Sequence, residues 1–158
     1  MKHTGHLSAT GATTVVSIVI FRCGVLVGRG GRPEPSEFEA IGTPLSDAGA
    51  HLTFFNDAGF GLHLLGHWVR ERGALSLAAA IRKLTSEPAA VFGIPDRGRL
   101  EAGCAADLML FDPATVGRGP KERRFDLPAG AARLMTPAVG LHGVWVNGVR
   151  TVDHGGAV

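Results

Sequence analysis

The stretch LSDAGAHLTF, Leu45–Phe54, reads as the end of a buried strand that delivers one carboxylate, Asp47, into a loop carrying His51 four residues later. A carboxylate presented in this way is a candidate general base. The sequence on either side decides which fold it belongs to and whether it has a site to serve.

Downstream, the local signals agree with one another. Phe60, Leu64 and Trp68, together with Leu65 and Val69, recur at helical spacing, so Gly59–Arg72 predicts an amphipathic helix closed by Gly73. A second helix is capped by Ser76, shows Leu77, Ile81 and Leu84 on its apolar face, and places Arg82 and Lys83 at the negative end of its dipole. Ser86 is the expected cap of a short third helix with Pro88 in its first turn and Gly93 as its stop. After Ile94–Gly98, IPDRG, the pattern turns extended. Asp107–Pro113, DLMLFDP, predicts a short apolar strand ended by Asp-Pro. Val144–Val146, then Asn147-Gly148, then Val149–Val152 is a hairpin signal, because Asn-Gly supplies the positive φ angles of a type I′ turn. Residues 97–153 therefore predict a small β unit, within which Gly117–Arg124, GRGPKERR, is expected to be an exposed connection.

Upstream the character changes. Residues 1–33 contain Lys2, Arg22, Arg29 and Arg32 with no acid, and an apolar run from Val15 to Val27 is interrupted by Arg22. The run is too short and too charged for a membrane span, which takes about 20 mostly uncharged residues. Its flank, Gly28–Arg32, offers no small-x-small cleavage site. VVSIVIF, Val15–Phe21, instead predicts one buried strand. The glycines after it lack both a GK[ST] ending and GxGxxG spacing, which argues against a nucleotide loop. Pro33–Glu39 reads as a linker.

The whole chain of 158 residues is 45% hydrophobic and 19% charged, with a formal charge of +2. That composition fits one folded domain or part of a larger one, and the small charge argues against a nucleic-acid partner. Cys23 and Cys104 form neither a metal-binding CxxC pair nor a disulfide framework, so a reducing, cytoplasmic location is expected. His63 and His67 share a helical face at i, i+4 without the intervening glutamate of HExxH. A structural or solvated role is the default for such a pair, because zinc requires at least three protein ligands. Trp68 and Trp145 sit in regular apolar patterns and are expected in the core, while Arg70 and Arg72 are expected on a solvated helix face, with a substrate-carboxylate role as the alternative.

LSDAGAHL, then GFGLHLLGHWVRERGALSLAAAIRKLTSEPAAVFGI, DRGRLEAGCAADLMLFDP and GVWVNGV, in this order, resemble the C-terminal part of metal-dependent amidohydrolases of the N-acyl-D-amino-acid deacylase (D-aminoacylase) group. The resemblance covers roughly Leu45–Val158. It implies an α/β fold: the C-terminal remnant of a (β/α)8 TIM barrel, with its last strand and helices in 45–96, plus part of a small β-sandwich in 97–158. Residues 1–44 stay unassigned. It also implies that Asp47 acts as general base and acid on the metal side of the site, that His51 helps to line the substrate pocket, and that zinc is the cofactor. The implied substrate is a small-molecule N-acyl amino acid, hydrolysed at a non-peptide C–N amide bond.

The departures are equally specific. A complete barrel takes ~250 residues, whereas about 44 precede Leu45, and no HxH motif is present among them. His3-Thr4-Gly5-His6 is HxxH with no strand before it, a poor candidate for the missing ligand pair. No metal ligand is assignable beyond a contact from Asp47. The expectation is a C-terminal fragment that is inactive alone. The alternative is a non-enzymatic fragment, an oligomer formed through unpaired strand edges, or a complementing subunit whose partner chain carries the rest of the barrel.

Overall fold

A computed structural model of the chain describes the backbone of residues 14–17, residues 53, 54 and 56, and residues 58–158. Asp47, His51 and Cys23 lie outside the described residues, as do the HxxH segment and the linker. Among the described residues, helices come first. Helix α1 (Phe60–His63) continues as a π-helix over Leu64–Glu71, followed by α2 (Leu77–Leu84) and α3 (Ser86–Val91). Gly73 takes φ +60° after Arg72 and ends the first helix as expected. Ser76 caps α2 by accepting a hydrogen bond of 3.1 Å from the backbone N–H of Ala79.

Two helical expectations need correction. The first helix winds mostly as a π-helix, with the N–H of Arg72 bonded to the carbonyl of His67, five residues back. The wider turn buries Leu64, Leu65 and Gly66 in succession, and it lays Gly66 directly on the chain at Val116–Gly117. A methyl group on Gly66 would stand 2.8 Å from the Val116 carbonyl oxygen. Ser86 does not cap the third helix: it is the first helical residue, Thr85 holds the cap position without a capping bond, and the Thr85 hydroxyl donates back to the Ile81 carbonyl at 2.7 Å.

The β unit is built on a five-stranded antiparallel sheet ordered β1-β2-β7-β8-β9, from β1 (Thr14–Ser17), β2 (Leu108–Phe111), β7 (Leu141–Val146), β8 (Val149–Asp153) and β9 (Gly156–Ala157). Part of the strand expected at Val15–Phe21 is thus β1, paired with β2 from Thr14 opposite Phe111 to Ser17 opposite Leu108. Two ribbons complete the unit: β3 (Gly117–Arg118) with β6 (Ala138–Val139), and β4 (Glu122–Arg124) with β5 (Arg133–Met135). Gly117–Arg124 is therefore not merely an exposed connection. It supplies β3 and β4, and Gly117 is buried beneath the π-helix. The hairpin β7–β8 turns on Asn147 and Gly148 with φ +50° and +79°, as the Asn-Gly signal requires.

The core lies where the helices meet the end of β2. Leu64, Leu65, Leu75, Ala80, Phe111 and Val116 are buried together, and Trp68, Val69, Leu77, Ile81 and Leu84 pack around them. Phe111 reaches this core at a bulge, where the β2–β7 register steps from Leu110 opposite Gly143 to Phe111 opposite Leu141. Trp68 is thus a partner of the core as expected. Trp145 is only half-buried: its ring covers Gly143 and faces the guanidinium of Arg150 at 5.3 Å.

Asp107 is a polar centre of the β unit. It is 1% exposed, accepts a hydrogen bond from Arg97 Nη1, and accepts another of 2.7 Å from the backbone N–H of Asn147. Arg97 Nη2 also donates to the Asn147 side-chain oxygen at 2.9 Å. Removing this carboxylate leaves a part-buried N–H and a part-buried guanidinium without the acceptor that they share. Asp107→Ala is therefore expected to lower stability by on the order of 3 kcal/mol, read from the midpoint of urea unfolding.

Candidate functional site

The two expected site residues, Asp47 and His51, fall outside the described residues, so the site is approached from the segment that follows them. Asn56 is 5% exposed and is tied in three ways. Its side-chain NH2 donates to Thr136 Oγ1 at 3.0 Å, its side-chain oxygen accepts from the N–H of Ala58 at 2.9 Å, and its carbonyl accepts from Arg118 Nη2 at 3.3 Å. The Asn56–Ala58 bond is an Asx turn, which sets the chain's direction into α1 through Gly59 at φ +80°. Arg123 Nη1 adds a longer bond of 3.4 Å to the Thr53 carbonyl. Every anchor from outside the segment comes from the β unit, so side chains on β3, on β4 and just after β5 hold the chain leading into the first helix.

Arg118 also stands over the start of that helix. Its side chain lies 3.3 Å from where a Cβ on Gly59 would be, so a larger residue there would displace it. Its Nε is buried and has no hydrogen-bond partner among the described residues. His63 lies beyond it, exposed and stacked on His67 with ring centroids 5.0 Å apart. Partial desolvation, then repulsion by His67 when that ring is protonated and by the Arg118 guanidinium, hold the His63 ring below the ordinary imidazole value of 6.5. His67 Nδ1 pairs with Glu71 Oε2 at 2.9 Å, and this bond holds the Glu71 carboxyl below the usual carboxylate range.

Arg70 turns out to be a packing residue. Its guanidinium donates to the Val116 carbonyl and sits over Gly66 and Gly117. This use of Arg70 was not legible because Val116 is forty-six residues away. Sequence reasoning also passed over Asn56 and Thr136; the Asn-x-x-Gly run before the helix was the available signal for Asn56, whereas nothing marked Thr136. Among the described residues, no group of three or more His, Cys, Asp or Glu side chains stands close enough together to hold a metal ion. The described residues thus do not fit a catalytic metal centre by themselves. Nor, among them, is any helix long and apolar enough to cross a membrane.

A family model described as "Amidohydrolase family" matches residues 40–152, well over half of the chain. The chain belongs to the amidohydrolase family. Among this amidohydrolase's relatives, the D-aminoacylase of Alcaligenes xylosoxydans xylosoxydans is 42% identical over 85 residues, 54% of this chain and 16% of that protein. The N-acyl-D-glutamate deacylase of the same organism is 53% identical over 53 residues, 34% of this chain and 11% of that protein. The chain therefore spans less than a fifth of the length of these relatives. A crystal structure of D-aminoacylase, described as defining a novel subset of amidohydrolases, is 36% identical with a TM-score of 0.49, covering 62% of this chain and 19% of the other.

Two measurements test the geometry of this segment. Thr136→Val leaves the buried Asn56 NH2 without its acceptor and is expected to cost about 1–3 kcal/mol in denaturant unfolding, while Thr136→Ser restores most of it. For His63, the fold favours the neutral ring. Its stabilising contribution is complete above about pH 6.5 and is lost as pH falls through the lower folded value. An NMR titration is expected to place the His63 pKa below 6.5, and His63→Gln to flatten that part of the stability–pH curve.

Proposed function

We propose that this amidohydrolase chain is the C-terminal part of an N-acyl-D-amino-acid deacylase: the last strand, loop and helices of a (β/α)8 barrel in 45–96, with part of a β-sandwich in 97–158. Its chemistry is hydrolysis of the C–N amide bond of an N-acylated amino acid. The observation that carries this reading is the unbroken family match over residues 40–152, which includes both the Asp47 loop and the β unit that anchors the segment after it.

In this reading Asp47 takes the proton from the water that attacks the amide carbonyl and returns it to the leaving nitrogen. His51 lines the pocket on the same loop. Zinc, which the resemblance implies, supplies Lewis-acid polarisation of the carbonyl when bound. Its ligand set is not built from the described residues, so the chain by itself is expected to be inactive. A complementing polypeptide carrying the remaining strands is the second reading, favoured by the small share of the relatives' length that the chain spans. The spacing of Cys23 and Cys104 supports a reducing, cytoplasmic setting.

The test is zinc content and hydrolysis of N-acyl-D-amino acids by the purified chain, alone and with Asp47→Asn. The expected result is no stoichiometric zinc and no turnover in either form. Bound zinc with turnover abolished by Asp47→Asn would overturn the inactive-fragment reading and show that the chain completes its own site.

A further inference from the structure

The proposed hydrolysis makes no use of the outer face of the first helix, yet that face carries three potential metal-binding groups in a row, His63, His67 and Glu71. The two imidazoles stack 5.0 Å apart with their planes within 10°. His67 is oriented by its 2.9 Å bond from Nδ1 to Glu71. With Glu71 ionised, Nδ1 carries the proton of that bond, which leaves the Nε2 lone pair of a neutral His67 directed away from Glu71. A carboxylate on the far nitrogen of a histidine is the arrangement that fixes and strengthens an imidazole as a metal ligand.

We propose that His63 and His67 together form a binding site for a divalent transition cation of the copper(II) or nickel(II) type, with Glu71 as the outer carboxylate that orients His67. Metal–imidazole bonds of about 2 Å bridge nitrogens up to about 4 Å apart. The stacked rings now hold their in-plane lone pairs nearly parallel, so chelation requires one ring to turn about its side-chain torsions, which an exposed His63 and a His67 side chain that is 38% exposed allow. Two protein nitrogens with water in the remaining positions suit the tetragonal geometry of these ions, and imidazole is a good ligand for them. The same pair is too few for a structural zinc site. Arg118 faces His63 and opposes a cation there, and Glu71 opposes that repulsion from the other side. The proposal does not depend on the deacylase reading.

The experiment is calorimetric titration of the metal-free full chain carrying His3→Gln and His6→Gln, which removes the competing amino-terminal histidines, with copper(II) chloride alone and electron paramagnetic resonance to identify the nitrogen ligands. This protein is expected to bind an ion through two imidazole nitrogens. His63→Gln and His67→Gln are each expected to weaken binding about tenfold or more, and Glu71→Gln about 10–100-fold. His142→Gln is expected to leave it unchanged. In the same His3→Gln, His6→Gln background, nickel(II) is expected to broaden the imidazole NMR signals of His63 and His67 before those of the other histidines. Affinity unchanged in both His63→Gln and His67→Gln, or broadening that begins at another histidine, would overturn the proposal. Unchanged affinity in Glu71→Gln would remove Glu71 from it.

Discussion

The β unit depends on a single buried carboxylate. Asp107 collects Arg97 from the loop after the helices and the backbone of Asn147 from the β7–β8 turn, while Gly148 N–H bonds to the carbonyl of Ala106 at 2.9 Å beside it. Two chain segments, one ten residues from Asp107 and the other forty, thus converge on the start of β2. An isolated hairpin is marginal in water, so joining the turn to the neighbouring strand and to the loop from the helices gives β7–β8 a fixed place. Because the Asp107 carboxylate itself is buried, the bonds that it accepts are electrostatically stronger than they would be at the surface.

From that fixed sheet the structure extends toward the candidate site through backbone contacts. Phe111 enters the core at the bulge, Val116 and Gly117 pass under Gly66, and Arg118 and Thr136 reach the segment at Asn56. The β unit therefore does more than follow the helices in sequence. Its side chains determine how the chain downstream of Asp47 enters the first helix, so within the proposed deacylase the sandwich portion would influence a loop of the barrel.

Features encoded locally were legible in the sequence. Ser76 and Gly73 mark helix ends through the conformations of one or two residues, and Asn147-Gly148 specifies a turn regardless of its surroundings. Features set by distant partners were not. The π winding goes with a close approach between Gly66 and Val116, and a helical repeat of apolar residues cannot report it. Gly117–Arg124 looked exposed because Lys121, Arg123 and Arg124 are charged, but β3 and β4 are short strands in which pairing and one buried glycine matter more than hydrophobic alternation. Asp107 read only as the polar first residue of an apolar strand; its burial depends on Arg97 and Asn147 together. The family was recognisable from Leu45 onward, whereas the anchors at Asn56, Arg118 and Thr136 required the fold.

The pairing of β1 with β2 bears on the order in which the chain assembles. Thr14 meets Phe111 only after a loop of about a hundred residues has closed. The β7–β8 hairpin, by contrast, joins neighbours across a two-residue turn. Local pairings of that kind form fast and distant ones late, so the central hairpin precedes the outermost strand. During synthesis Thr14–Ser17 leaves the ribosome about ninety residues before its partner strand, Leu108–Phe111, exists. Until then β2 keeps one row of backbone groups open, and the N-terminal segment, whose sequence looks least like the rest, becomes the last piece of the sheet to be put in place.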